Sequence, residues 1–110
     1  MKQGEIWAAN LNPTRGSEQA GIRPVVVVSG NLMNEYLNVV IICPLTSKIK
    51  NYKGNVVLDP SSKNGLKEQS EILNFHVRSV AKNRLKKMIG SINDVQLLAT
   101  KKGLNDLLTY

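Results

Sequence analysis

Gly16-Ser17-Glu18-Gln19-Ala20-Gly21-Ile22-Arg23-Pro24-Val25-Val26-Val27-Val28-Ser29 is a polar, glycine-flanked loop that passes through an Arg-Pro pair straight into four valines. Four consecutive β-branched residues predict a strand buried on both faces, because each valine has one stiff rotamer suited to a pleated surface. Pro24 fixes its own φ and pushes Arg23 out of helical geometry into an extended one. Arg23 is therefore expected at the mouth of a core strand, with Glu18 and Gln19 ahead of it and Gly21 permitting a tight path between. Charged loop residues anchored on rigid elements are where sites are usually built. The structural alternative is a surface ion pair between Arg23 and Glu18 that closes the loop.

Outward from this stretch, Glu5 to Leu11 predicts a first strand, followed by turn chemistry at Asn12-Pro13-Thr14-Arg15-Gly16. Leu32 to Tyr36 fits a short connection with one helical turn. Leu37 to Pro44, with Val39, Val40, Ile41 and Ile42 in sequence, predicts a second buried strand that delivers Thr46 and Ser47 at its end. Thr46 thus shares the architectural position of Arg23. Lys48 to Gly54 is a basic loop containing Tyr52; Val56 to Leu58 is a strand closed by the turn signal Asp59 to Gly65. Ser70 to Val80 alternates, which predicts one strand with Leu73, Phe75 and Val77 on one face and Asn74, His76 and Arg78 on the other. Lys82 to Lys87 is a basic connection and Met88 to Ile92 a short strand.

The last segment predicts a long helix, capped by a Ser91/Asp94 box or by Asn93. Leu97, Leu98, Leu104, Leu107 and Leu108 give it an apolar stripe suited to core packing, and Gly103 weakens or bends it. Five or six short strands closed by a terminal helix imply a mainly β domain, a small barrel or half-barrel, with residues 1–110 as one domain.

The chain of 110 residues supports one modest core, and no apolar run approaches the roughly 20 residues of a membrane helix. A cytoplasmic protein without a membrane association is the expectation. The lone Cys43 lies in an apolar run, expected as a small buried hydrophobe, and with the single His76 it forms no metal-ligand pattern, so no metal or cofactor is expected. Net charge is +7, and Ile72 to Asn93 holds Arg78, Lys82, Arg84, Lys86 and Lys87 without an acidic residue. Such a basic balance suits a polyanion, nucleic acid foremost, or a solvated lysine-rich face. Arg23, Thr46 and Ser47 would form an anion site if the two core strands are neighbours, since an arginine fork and hydroxyl donors match phosphate oxygens. RNA cleavage at such a site needs no metal-activated water, because the adjacent 2′-hydroxyl is the nucleophile.

Gly4-Glu5-Ile6-Trp7, the block Leu11 to Pro24, Pro44-Leu45-Thr46-Ser47 and Arg78-Ser79-Val80-Ala81-Lys82-Asn83-Arg84-Leu85 closely resemble the MazF/PemK family of toxin endoribonucleases. The resemblance implies an SH3-like β-barrel with a C-terminal α-helix, acting as a homodimer. It implies metal-independent, sequence-specific cleavage of single-stranded RNA, chiefly mRNA, leaving 2′,3′-cyclic phosphate and 5′-hydroxyl ends. It also implies a cognate antitoxin whose acidic C-terminal segment occupies the RNA groove. Arg23 and Thr46 match the family's catalytic pair, with Glu18 beside them. Ser17, Gln19, Ser47, Lys48, Lys50, Arg78, Arg84 and Lys86 are the residues expected to contact RNA.

The chain departs from the family where Phe75 and His76 replace an acidic residue and a glutamine, Leu73 an arginine, and Ser17 a histidine. A mechanism that uses those acidic, arginine and histidine side chains cannot operate unchanged; one resting on Arg23 and Thr46 can. His76, expected to face away from Phe75, becomes a candidate for RNA contact or proton transfer. The competing functions are a gyrase poison of the related CcdB type and an RNA-binding module that has lost catalysis.

Overall fold

The structure, a computed structural model, describes residues 1–11 and 21–110. Seven strands and two α-helices follow one another along the described chain: β1 (Glu5–Asn10), β2 (Ile22–Val27), α1 (Asn31–Tyr36), β3 (Val39–Thr46), β4 (Val57–Leu58), β5 (Ser70–Ile72), β6 (Arg78–Ala81), β7 (Leu85–Ser91) and α2 (Asp94–Thr109). The strands form one curled antiparallel sheet in the order β4-β5-β3-β2-β1-β7, with β6 also paired to β3. The mainly β half-barrel with a terminal helix is the architecture the sequence predicts.

The valines behave as their β-branched run requires. Val26 and Val28 enter one apolar cluster with Ile6, Cys43, Leu45, Leu58, Ile72 and Ile92; Val25 and Val27 enter a second with Ala9, Val40, Ile42, Val80 and Leu85. Alternating valines thus fill both sides of one strand. Cys43 is fully buried in the first cluster, and desolvation pushes its thiol up to about 12.

Three expectations are corrected. Ser70 to Val80 is two short strands interrupted by a 3₁₀ turn at Asn74–His76, held by the His76 N–H on the Leu73 carbonyl and the Val77 N–H on the Asn74 carbonyl, both at 3.1 Å. The two-residue alternation therefore fails across the turn, and Phe75 and His76 lie against each other with ring centroids 4.6 Å apart. The basic connection is shorter than expected: after a 3₁₀ turn at Lys82–Arg84, residues from Leu85 onward already belong to β7. The helical stripe splits. Leu97 and Leu104 pack on the first cluster, whereas Leu98, Leu107 and Leu108 are exposed.

Asn93 caps α2. Its side chain accepts the Gln96 N–H at 2.8 Å while the Gln96 side chain accepts the Asn93 N–H at 2.9 Å, a reciprocal capping box. Gly103 neither breaks nor ends this helix. It is there because a Cβ would sit 2.3 Å from Asn74 Nδ2 and 2.5 Å from the Gly54 carbonyl oxygen. The residue that costs the helix propensity lets it lie against the loop before β4 and the 3₁₀ turn.

One buried carboxylate organises the basic loop between β3 and β4. Glu71, fully buried on β5, accepts the backbone N–H groups of Lys50, Asn51 and Tyr52 at 2.8 Å each and Asn55 Nδ2 at 2.9 Å. Asn51 adopts φ 56°, the left-handed region that asparagine tolerates, and so lets three consecutive amides converge on one side chain. Burial alone would raise the Glu71 pKa, but these four donors outweigh it and hold the carboxyl below its ordinary value.

Two predictions follow from these contacts. Gly103→Ala, which gains about 1 kcal/mol of helix propensity in isolation, is expected to destabilise the protein by about 2 kcal/mol through its clash with the Gly54 backbone, read as a lower urea midpoint. A carboxyl with a depressed folded pKa stabilises at and above the ordinary carboxylate range, and that stability is lost as pH falls through the folded value. Glu71→Gln is therefore expected to cost about 2–3 kcal/mol at neutral pH and to flatten the acid side of a plot of urea midpoint against pH.

Candidate active site

Register brings the two strand-rim residues together. β2 and β3 pair Val27 with Ile42, Val26 with Cys43 and Val25 with Pro44. Two residues further along the same antiparallel register, Arg23 stands opposite Thr46. The ladder ends where Pro24, which has no N–H to donate, follows in the register. Beyond it the space between the strand ends is a cavity of about 370 Å³. Arg23, Thr46, Ser47 and Lys48 line one part of it, and Lys67, Glu68 and Ser70, from the segment leading into β5, line another.

Arg23 is held in place from its other edge. It belongs to β2 and pairs with Ala9 of β1, so its backbone is part of the sheet while its side chain is exposed. Among the described residues the ion pair found is Lys102–Asp106 on α2, and Arg23 joins none. Thr46 ends β3 and pairs with Glu71 of β5. Its Oγ1 accepts the Lys48 N–H at 3.1 Å, which orients the hydroxyl and leaves its own proton to be donated. Ser70 Oγ donates to the Glu68 carbonyl at 3.0 Å and fixes the chain entering β5.

The remaining candidates divide. Ser47 and Lys48 reach the cavity. Lys50 is exposed on the loop that Glu71 pins. Arg78 opens β6 opposite Ile42, and Lys86 is exposed on β7, three strands along the sheet from β3. Arg84 is half-buried and donates Nη1 to the Asn10 carbonyl at 3.1 Å, tying down the end of β1. His76 does not face away from Phe75 as expected; its ring leans against that ring at a tilt of 44°, and it is not among the residues lining the cavity. Ser17, Glu18 and Gln19 lie outside the described residues.

Sequence reasoning missed Lys67, Glu68 and Ser70. They follow a turn signal, and only the pairing of β5 with the end of β3 carries them to Thr46. It also missed the extension of the groove: a second cavity of about 400 Å³ shares Pro24, Leu66 and Lys67 with the first and runs on to Lys87 and Met88 of β7. The arrangement suits an anion: one arginine, two lysines and three hydroxyl residues line a cavity with one carboxylate, Glu68, on its wall. Among the described residues no three His, Cys, Asp or Glu side chains gather as metal ligands would, and no helix is long and apolar enough to cross a membrane.

The chain is similar to known proteins over nearly its whole length. Residues 2–108 match the family described as PemK-like, MazF-like toxin of type II toxin-antitoxin system. The chain is 36% identical over 98 residues to Endoribonuclease MazF of Staphylococcus saprophyticus, covering 88% of this chain and 82% of that protein. It superposes on MazF of Deinococcus radiodurans with a TM-score of 0.80 at 27% identity, covering 100% of this chain and 97% of that one. It is similar also to a MazE-MazF structure from the same organism, with a TM-score of 0.83 at 28% identity over 99% and 96% of the two chains. Fold, register and sequence converge, and the chain belongs to the PemK-like, MazF-like toxin family of type II toxin-antitoxin systems.

Proposed function

We propose that this protein is the toxin of a type II toxin–antitoxin pair and a metal-independent endoribonuclease that cuts single-stranded RNA, mRNA above all, at short sequences. The observation that carries the reading is the convergence of Arg23 and Thr46 on one cationic cavity at the end of the β2–β3 ladder. The relative from Staphylococcus saprophyticus is an endoribonuclease by name. The related MazE-MazF structure supports a cognate antitoxin, for which an acidic segment seated in the groove is the complementary partner of Lys48, Lys67 and Lys87. A homodimer in the cytoplasm, each copy contributing one toxin domain over 1–110, completes the proposal.

The chemistry needs three things: in-line placement, charge stabilisation and two proton transfers. Arg23 and Lys48 hold the non-bridging oxygens of the scissile phosphate, and Thr46 donates its hydroxyl proton to one of them. The ribose 2′-oxygen attacks phosphorus as its proton departs to a base. The bond from phosphorus to the 5′-oxygen breaks, and that oxygen takes up a proton. The products are a 2′,3′-cyclic phosphate and a 5′-hydroxyl, with no water consumed. Glu68 is the carboxylate lining the cavity among the described residues and takes the role of proton acceptor, whereas His76 does not line the cavity. Glu18 is assigned a supporting role from its match to the family motif alone.

The decisive experiment incubates purified protein with a mixed RNA in EDTA and maps the ends. Discrete cuts with cyclic-phosphate ends are expected. Arg23→Ala and Thr46→Ala should each lower the cleavage rate about 10²- to 10³-fold, and Glu68→Gln should lower kcat about 10²-fold. Intact RNA with retained binding would mark a binding module; intact RNA with inhibition of a topoisomerase would mark a gyrase poison.

A further inference from the structure

A third cavity, polar and aromatic and of about 650 Å³, opens at the loop that Glu71 pins. Tyr52, Lys53 and Asn55 from the pinned loop line it, with Asn74 and Phe75 from the 3₁₀ turn and Tyr110 beyond α2. From it we infer that this protein binds an unpaired nucleobase of its RNA substrate on a Tyr52–Phe75 platform. The inference rests on the endoribonuclease reading and names a base-binding subsite for it.

Three observations meet there. Phe75 and Tyr52 are each 48% exposed, although two aromatic rings in edge contact would ordinarily complete their burial against a core. Their centroids lie 5.2 Å apart in an edge-to-face arrangement at 85°, and His76 leans on Phe75 at 4.6 Å, tilted by 44°, so the three form a contiguous, exposed aromatic cluster. Its backbone is rigid on both sides: Glu71 holds the Tyr52 amide, and the 3₁₀ hydrogen bonds hold Asn74 to Val77. Secondly, Asn74 is only 2% exposed, yet its Oδ1 has no hydrogen-bond partner among the described residues. A buried acceptor without a donor is costly, and an N–H on the edge of a base is of the class that would satisfy it. Thirdly, the surroundings are cationic. Lys53 lines the cavity, Lys50 and Arg78 flank the platform in sequence, and the one acid on its wall, Asp106, is paired with Lys102 at 3.1 Å.

A nucleobase is the occupant this chemistry fits: a flat π-face for the rings, a donor edge for Asn74, and a following phosphate for the lysines. A chain of contacts joins the subsite to Thr46. Thr46 pairs with Glu71, Glu71 holds Tyr52, and Tyr52 abuts Phe75, so a strand whose scissile phosphate sits at Thr46 has a neighbouring base within reach of the platform. Phe75, which stands in place of an acidic side chain, and His76 supply instead an aromatic surface.

The test uses the full chain and an oligonucleotide of a sequence found by cut-site mapping on mixed RNA. Tyr52→Leu and Phe75→Leu are each expected to raise KM about tenfold with kcat kept within about twofold, and to relax the base preference beside the cut. Phe75→Tyr should restore both. Unchanged KM and cut-site distribution in both leucine variants would overturn the proposal, as would an effect confined to dimer dissociation in sedimentation, which would make the platform a contact with a second copy. Absence of cleavage by the wild-type protein would retire the endoribonuclease reading alone. The platform would then be read from a fully 2′-O-methylated RNA carrying 2-aminopurine: quenching by the wild type that is lost in Phe75→Leu sustains it, and no quenching by the wild type overturns it.

Discussion

The hydrogen-bond register of β3 is the constraint on which the molecule depends. Along one edge this strand pairs with β2; along the other it pairs first with β6, through Val39 to Ile42, and then with β5, through Leu45 and Thr46. The residues that line the candidate site at the strand ends take their positions from that strand. Arg23 is placed by the β2 register and the basic loop by the residue that pairs with Thr46. A slip of one residue would invert the faces of β3, carrying Ile42 and Val40 out of their cluster. Burial of the alternating apolar residues therefore protects the site as strongly as it protects the fold.

The site shows a division of labour in charge. Glu71 is sealed away and spends all its hydrogen-bonding capacity on one loop, whereas Arg23 and the lysines face solvent. A buried carboxylate satisfied by backbone amides leaves no residual demand for a cation, so it organises the basic loop without neutralising it. The cationic groove keeps its attraction for a polyanion while its shape is set by an acid.

Much of this was legible in the residues. The meeting of Arg23 with Thr46 follows from consecutive strands being neighbours; the valine run, the Arg-Pro pair, the buried Val39–Cys43 strand and Asn93 as one of two possible caps follow from stiff rotamers, fixed φ values and local capping chemistry. Such signals are contained within a few residues. The 3₁₀ turn at Asn74–His76 was hidden because apolar residues alternate through it with the period of a strand. Glu71 was hidden for another reason: its partners lie about twenty residues away in the sequence, and nothing local distinguishes a carboxylate that will meet three amides from one that will meet water. Gly103 looked like a flaw in a helix because the atoms that demand it belong to Gly54 and Asn74.

Cys43 sits three residues before Thr46 on the strand that carries the site, sealed by valines and isoleucines, its proton held far above neutrality. Since the thiolate is the species that oxidants and alkylating agents attack, the fold makes its only sulfhydryl chemically silent. The strand that carries Thr46 is thus insulated from redox chemistry by packing alone. The same sulfur becomes a tracer: when a reagent reaches it, the sheet has opened, so the rate of labelling measures how often the toxin visits its unfolded form.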